Sequence, residues 1–152
     1  MVLYSSCEYK LLYMNELFLA LHVVLSLFLG GILGWQRENR GKSAGPRTYA
    51  LVAGGSTLFT LLSITAFGAD ISRIASQIVV GIGFLGAGTI LHKENRVEGL
   101  TTAAGLWMVA AIGMAVGVRY YILSIVASFL VLAIFMFDDR KYKKDLNKDE
   151  LK

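Results

Sequence analysis

The sequence predicts an all-α fold, a polytopic membrane helix bundle with five transmembrane helices. Three observations carry the prediction. Five apolar runs, over 17–35, 48–67, 74–91, 100–117 and 120–137, are each 18 to 20 residues long. None of them contains Asp, Glu, Lys or Arg, so all 26 such residues fall in the gaps and at the two ends. The chain is 55% hydrophobic with a mean hydropathy of +0.58 and only 17% charged residues, against roughly 25% charged in soluble domains. A helix rises about 1.5 Å per residue, so runs of this length match the roughly 30 Å hydrocarbon core of a bilayer. Strands of a membrane barrel alternate apolar with polar residues, and these runs do not. The expected division is an extracytoplasmic N-terminal extension over 1–15, a membrane domain over 16–137 and a charged cytoplasmic tail over 138–152.

The first run is too long for the apolar part of a signal peptide. The bulky Trp35-Gln36-Arg37 follows it where small residues mark cleavage, so it reads as a retained helix. Met14-Asn15-Glu16 just before it is a natural start, which leaves open whether 1–13 belongs to the native protein. Gly30 and Gly34 form a GxxxG pair in this run. The loop after it is charged and holds Pro46, the chain's one proline. The second run opens with Gly54-Gly55 and continues with Ser56, Thr57, Thr60 and Ser63. Asp70 is spaced to cap the third helix, with Arg73 three residues on. That helix carries Gly81, Gly83, Gly86 and Gly88, and the fourth a second GxxxG pair, Gly113 and Gly117.

Helices in lipid associate through close packing of small residues and interhelical hydrogen bonds. These glycines therefore predict a tight bundle with the third helix near its centre. The same glycines suit self-association, so a homo-oligomer stays open. Gly81-Ile82-Gly83-Phe84-Leu85-Gly86 also matches the dinucleotide fingerprint, but it lies inside a membrane run with no strand before it.

Charge sets the orientation. With the N-terminus outside, twelve Lys and Arg face the cytoplasm and three face out, as the positive-inside rule demands. A pI near 9.3 thus needs no nucleic acid; the positive charge lies where anionic head groups are. Arg140-Lys141-Tyr142-Lys143-Lys144 is a lipid-contact patch or a plain anchoring tail. Cys7, the single cysteine, has no intramolecular disulfide partner and no cluster to join. Lys152 displaces the C-terminal Lys-Asp-Glu-Leu string from where a retention signal must end.

Read in order, several segments resemble the MgtC/SapB family of bacterial membrane proteins. They are Arg37-Glu38 after the first helix, Ala44-Gly45-Pro46-Arg47-Thr48 entering the second, and Arg73-Ile74-Ala75-Ser76-Gln77 opening the third. Gly81 through Gly88 (GIGFLGAG) follows, then Gly99-Leu100-Thr101-Thr102-Ala103-Ala104 ahead of Trp107. The resemblance covers roughly 15–137. It departs at Gln36, where many members have an acid, and at Pro46, where leucine is common. Both departures weaken cation binding by loop carboxylates. A soluble C-terminal domain found in some members is expected to be absent. The resemblance implies links to magnesium limitation, acid stress and virulence. It also implies regulation of other membrane proteins, such as the ATP synthase, rather than magnesium carriage.

Two functions follow as expectations. The first is a regulatory or interaction protein of the inner membrane, because ion carriers keep an ionisable group or a broken helix at mid-bilayer. Here only His22 lies within a run, and packing as a neutral ring suits it. The second is a small magnesium or proton transporter or channel, with carbonyls of the glycine-rich third helix, Gln77, Thr101 and Thr102 as oxygen donors. Magnesium prefers carboxylates with retained waters, and Glu38, Glu94, Glu98 and Asp70 all lie at the membrane edges. No nucleophile–base pair or histidine cluster points to an enzyme, and no cofactor or metal site is expected. The candidate residues form two clusters. Arg37, Glu38, Arg47, Thr48, Thr101 and Thr102 are expected together at the cytoplasmic face, with Glu38 pairing an arginine. Asp70, Arg73 and Gln77 are expected near the outer face. A membrane-impermeant thiol reagent is predicted to label Cys7 in intact cells; labelling only after lysis would invert the topology.

Overall fold

The computed structural model describes residues 6–66, 71–93 and 96–137, with side chains over 16–66, 72–93 and 97–137. Asp70, the Glu94 side chain and the tail 138–152 lie outside the described residues. Five helices follow one another: α1 (Ser6–Asn39), α2 (Pro46–Thr65), α3 (Ile71–Ala87), α4 (Leu100–Gly117) and α5 (Tyr121–Met136). Three are long and apolar enough to cross a membrane, α1 over Glu16–Asn39, α2 and α4; α3 and α5 are shorter apolar helices. Helix α1 runs past its apolar stretch at both ends and takes in most of the expected N-terminal extension.

Two helix boundaries show how the sequence sets them. Pro46 stands at the first position of α2, where its missing N–H is not needed. Helix α1 stops at Gly41, which has φ +63°. There Lys42 N–H bonds Arg37 O at 3.1 Å and Gly41 N–H bonds Glu38 O at 2.8 Å, the Schellman pattern of a left-handed residue closing a helix.

At the centre of the bundle α2 packs against both α1 and α4, and α1 also touches α4 and α5. Along α1 the buried positions are His22, Ser26, Gly30, Leu33, Gly34 and Arg37, a seam at helical spacing. A Cβ added at Gly30 would lie 2.5 Å from the Tyr49 carbonyl oxygen and 2.9 Å from Ala53 Cβ. At Gly34 it would lie 2.5 Å from Pro46 Cα. Between α2 and α4, Gly113 meets the Ala53 backbone and Gly117 meets Thr60. Thr57 Oγ1 adds a hydrogen bond to Gly113 O at 2.7 Å, across the pair. Both GxxxG pairs read from the sequence therefore bring backbones together.

The third helix corrects two expectations. It is not central: α3 is exposed along most of its length, and only Ile82 and Gly86 are buried. Cβ atoms at Gly81 and Gly83 would meet nothing within 4 Å, and one at Gly88 would meet only α3's own carbonyls. Gly86 alone of the four packs on a neighbour, with Ala103 Cβ 3.5 Å from its built Cβ position. Nor does the helix fill the run 74–91. It ends at Ala87, and a two-stranded antiparallel hairpin follows, β1 (Leu91–Lys93) and β2 (Arg96–Glu98), with Leu91 opposite Glu98. Lys93 Nζ and Glu98 Oε2 are 2.9 Å apart across it. Gly99, at φ +92°, then turns the chain into α4, where a side chain would collide with the Thr89 carbonyl.

These contacts predict opposite responses along one sequence pattern. Gly113→Val forces a side chain into backbone and should cost about 1–3 kcal/mol or more. Gly81→Ala meets open space and should be neutral or gain up to about 1 kcal/mol from helix propensity. Thermal unfolding in detergent micelles reads both.

Candidate functional site

The end of the bundle that carries the α1–α2 loop holds the most unusual side chain. Arg37 is only 3% exposed although it is a guanidinium at a helix end. Its Nη2 donates to Thr102 Oγ1 at 3.2 Å, and its Cζ lies 4.4 Å from the centroid of the Phe135 ring. A desolvated cation over an aromatic face gains about 2 kcal/mol. Phe135 also meets Tyr49 edge-on, with centroids 6.2 Å apart. The Tyr49 hydroxyl donates to Thr102 O at 3.4 Å. Arg37, Tyr49, Thr102 and Phe135 thus join α1, α2, α4 and α5 in one cluster.

The last turn of α1 also closes the end of α5. The final carbonyls of a helix have no partner within it. Gln36 Nε2 donates to Phe135 O at 3.0 Å, and Arg40 donates to Met136 O at 3.2 Å. This explains the amide at position 36: a carboxylate there would face a carbonyl with no proton to share. Arg37 in the last turn of α1 and Arg40, bonded to a terminal carbonyl of α5, place positive charge at both helix C-termini, where the dipoles favour it.

The cluster is not fully satisfied. Three buried side-chain atoms lack a hydrogen-bond partner among the described residues: Gln36 Oε1, Arg37 Nε and Ser63 Oγ. Two of the three fall in this cluster, and a buried orphan polar group calls for a specific explanation. Removing one partner of a buried charge is costly, so Arg37 depends on its ring and its hydroxyl.

The structure brings together only part of the predicted cytoplasmic cluster. Arg37 meets Thr102, but Glu38, Arg47, Thr48 and Thr101 are all exposed. Among the described residues Glu38 forms no ion pair with an arginine; the ion pair found is Lys93–Glu98. The reason is rotation: on α1, Arg37 points into the bundle, and Glu38, 100° further round, points out. Of the second cluster, Asp70 lies outside the described residues. Arg73 and Gln77 are exposed on α3. Tyr49 and Phe135 were not singled out by sequence, since aromatic residues in apolar runs carry no distinguishing signal; a tyrosine hydroxyl inside a span, which needs a partner, was the available clue.

A second polar contact lies at the opposite end. His22, 3% exposed, has Nδ1 2.7 Å from Phe18 O and Nε2 against the Tyr121 hydroxyl. The carbonyl only accepts, so Nδ1 carries the hydrogen, and in the neutral ring Nε2 accepts from Tyr121. This ties α1 to α5. Among the described residues no group of three His, Cys, Asp or Glu is placed to hold a metal ion.

Comparison with known proteins places these features. A family profile described as the MgtC family matches residues 23–143. An Escherichia coli (strain K12) protein named "Putative magnesium transporter YhiD" is 42% identical over 123 residues, covering 75% of this chain and 57% of that protein. Protein MgtC of Salmonella typhimurium (strain LT2) is 43% identical over 112 residues, 74% of this chain and 48% of its own length. A Haemophilus influenzae protein is 38% identical over 121 residues, 72% of this chain and 51% of its own. The chain thus spans about half the length of the curated relatives it matches. No solved structure matches it significantly.

The cluster makes a measurable prediction. Arg37→Ala and Thr102→Ala should each destabilise the protein, and the double mutant should show a coupling of about 0.5–3 kcal/mol. Gln36→Glu should destabilise by about 1–3 kcal/mol, because Phe135 O loses its donor and faces a charge. Unfolding in micelles measures all four variants.

Proposed function

The chain belongs to the MgtC family, and from that premise we propose that it is a regulatory membrane protein acting through contact with other membrane proteins. The observation that carries this reading is Arg37. A buried cation whose described partners are a hydroxyl and an aromatic ring closes one end of the bundle, and a fixed positive charge at a pore mouth repels cations. Magnesium sites use carboxylate oxygens and retained water, and the described groups around Arg37 are a hydroxyl, two aromatic rings and an amide. The same end presents exposed polar groups outward, including Glu38, Lys42, Arg47, His92 and Lys93, a charged surface of the kind that selects partners.

The Lys and Arg distribution supports placing this end in the cytoplasm of a bacterial inner membrane, with the N-terminus outside. The ATP synthase, implied by the family resemblance, is one partner class for such a surface. The name of the E. coli relative favours a second reading, a magnesium transporter; on that reading ions would pass along the exposed face of α3 between subunits.

Purified protein in liposomes is predicted to pass neither magnesium nor protons above the empty-vesicle rate. Saturable flux that disappears in Glu38→Ala or Gln77→Ala would overturn the regulatory reading in favour of transport.

A further inference from the structure

Helices α1 and α4 end in the same way but with different residues. At the end of α4, Tyr120 N–H bonds Ala115 O at 2.8 Å and Arg119 N–H bonds Val116 O at 2.9 Å. This is the Schellman pattern seen at Gly41, and its left-handed position is normally glycine. Here it is Arg119, at φ +66°, the one non-glycine residue with positive φ among those described. A side chain in that conformation is disfavoured, and such outliers persist where something else is gained.

What surrounds Arg119 indicates the gain. Two cavities open at this end of the bundle on either side of Val118. One, of about 250 Å³, is lined by Ala75, Met114, Ala115, Val118 and Leu123, with Thr60, Ser63 and Tyr120 as its polar members. The other, of about 220 Å³, is lined by Leu19, Leu61, Ile64, Thr65, Gly117, Val118 and Arg119. Both are mostly apolar. Ser63 is 1% exposed, and its hydroxyl is without a partner among the described residues, at the wall of the first cavity. The Thr60 and Thr65 hydroxyls are already given to Ser56 O and Leu61 O. Arg119 is exposed and lies 5.4 Å from the Phe18 centroid; among the described residues it has no acidic partner.

Two apolar slots separated by one residue, a free buried hydroxyl in one and a guanidinium at the rim of the other, match an amphiphile with two chains. We propose that this end of the bundle binds one diacyl phospholipid, its acyl chains straddling Val118 and its phosphate held by Arg119. Arginine recognises phosphate through paired N–H donors, and long basic side chains reach the head-group level from a helix end. Ser63 Oγ is placed to donate to a chain's ester carbonyl. Tyr120, an exposed aromatic with a polar tip, suits the membrane interface. The proposal depends neither on the regulatory reading nor on which end is cytoplasmic.

The left-handed backbone supplies a discriminating variant. Arg119→Gly removes the phosphate donor and relaxes φ, so its melting temperature should stay the same or rise. Native mass spectrometry of the detergent-purified chain, titrated with dioleoyl phosphatidylglycerol, should show one retained lipid. Arg119→Gly should lower that affinity at least about tenfold, a change of roughly 1.4 kcal/mol. Val118→Trp, which places an indole at the wall the two slots share, should also weaken lipid binding, whereas Arg47→Ala at the other end should keep it. Excess inorganic phosphate should not displace the lipid. Retention by Arg119→Gly with wild-type affinity would overturn the proposal in favour of unspecific lipid around the bundle, and displacement by phosphate would overturn it in favour of a free-anion site.

Discussion

Apolar side chains gain nothing by leaving lipid for one another, so a membrane bundle must hold together by bringing backbones close enough for dispersion contacts and hydrogen bonds to act. In this protein that constraint converges on Tyr49. Its side chain is fully buried. Its carbonyl fills the space that Gly30 leaves on α1, and its hydroxyl fills the space that Gly105 leaves on α4. A methyl group at Gly105 would displace the ring, and one at Gly30 would push the Tyr49 backbone away from α1. Because Tyr49 is held, Phe135 can stand edge-on to it. Because Phe135 is held, Arg37 has a face to lie on. The cationic site is therefore the top of a stack whose base is two missing side chains.

The same stack explains why the site tolerates its incomplete hydrogen bonding. Arg37 Nε and Gln36 Oε1 lack partners among the described residues, yet the turn carrying them satisfies two terminal carbonyls of α5 and the Thr102 hydroxyl. Each bond to a charged donor contributes about 1.5–3 kcal/mol, which offsets an orphan of similar cost. The balance is local to the last turn of α1. The same turn ends the apolar stretch of α1, and Glu38, Asn39, Gly41 and Lys42 beside it are exposed.

Much of the fold was legible in the sequence. Charge-free runs of bilayer length gave five helices in the right places, and the two GxxxG pairs lie where backbones meet. The glycine-rich third helix misled, because a glycine in a sequence shows only that a side chain is absent. It does not show whether a neighbour occupies the space: Gly113 is filled by the Ala53 backbone, and Gly81 by nothing. The hairpin after α3 was missed because strands of three residues carry no periodicity and Leu91 reads as the end of an apolar run. At the site, Arg37 and Thr102 were both singled out. Their contact across 65 positions depends on how α1 and α4 are rotated about their axes, which no local motif encodes. Glu38 is exposed for the same reason, one residue further round the helix.

The two ends of the bundle differ in how they are tied, and the difference bears on where the protein can respond to its surroundings. At the Arg37 end, α1 side chains reach α4 and α5, and Gly34 presses on the Gly45–Pro46 backbone. At the other end the ties are the His22–Tyr121 contact, Arg119 over the Phe18 ring and Gly117 against Thr60, beside two open cavities. Regions with few packed contacts open at lower free energy than the rest of a fold. Helix α3 reinforces the asymmetry, since its buried residues, Ile82 and Gly86, lie in its second half, towards the Arg37 end. A ligand or lipid filling the looser end would act on the ends of α2 and α4 and the starts of α3 and α5. The charged surface at the tied end would stay fixed unless those helices moved as rods. Packed helices do move that way, because their close-packed interiors transmit strain rather than absorb it.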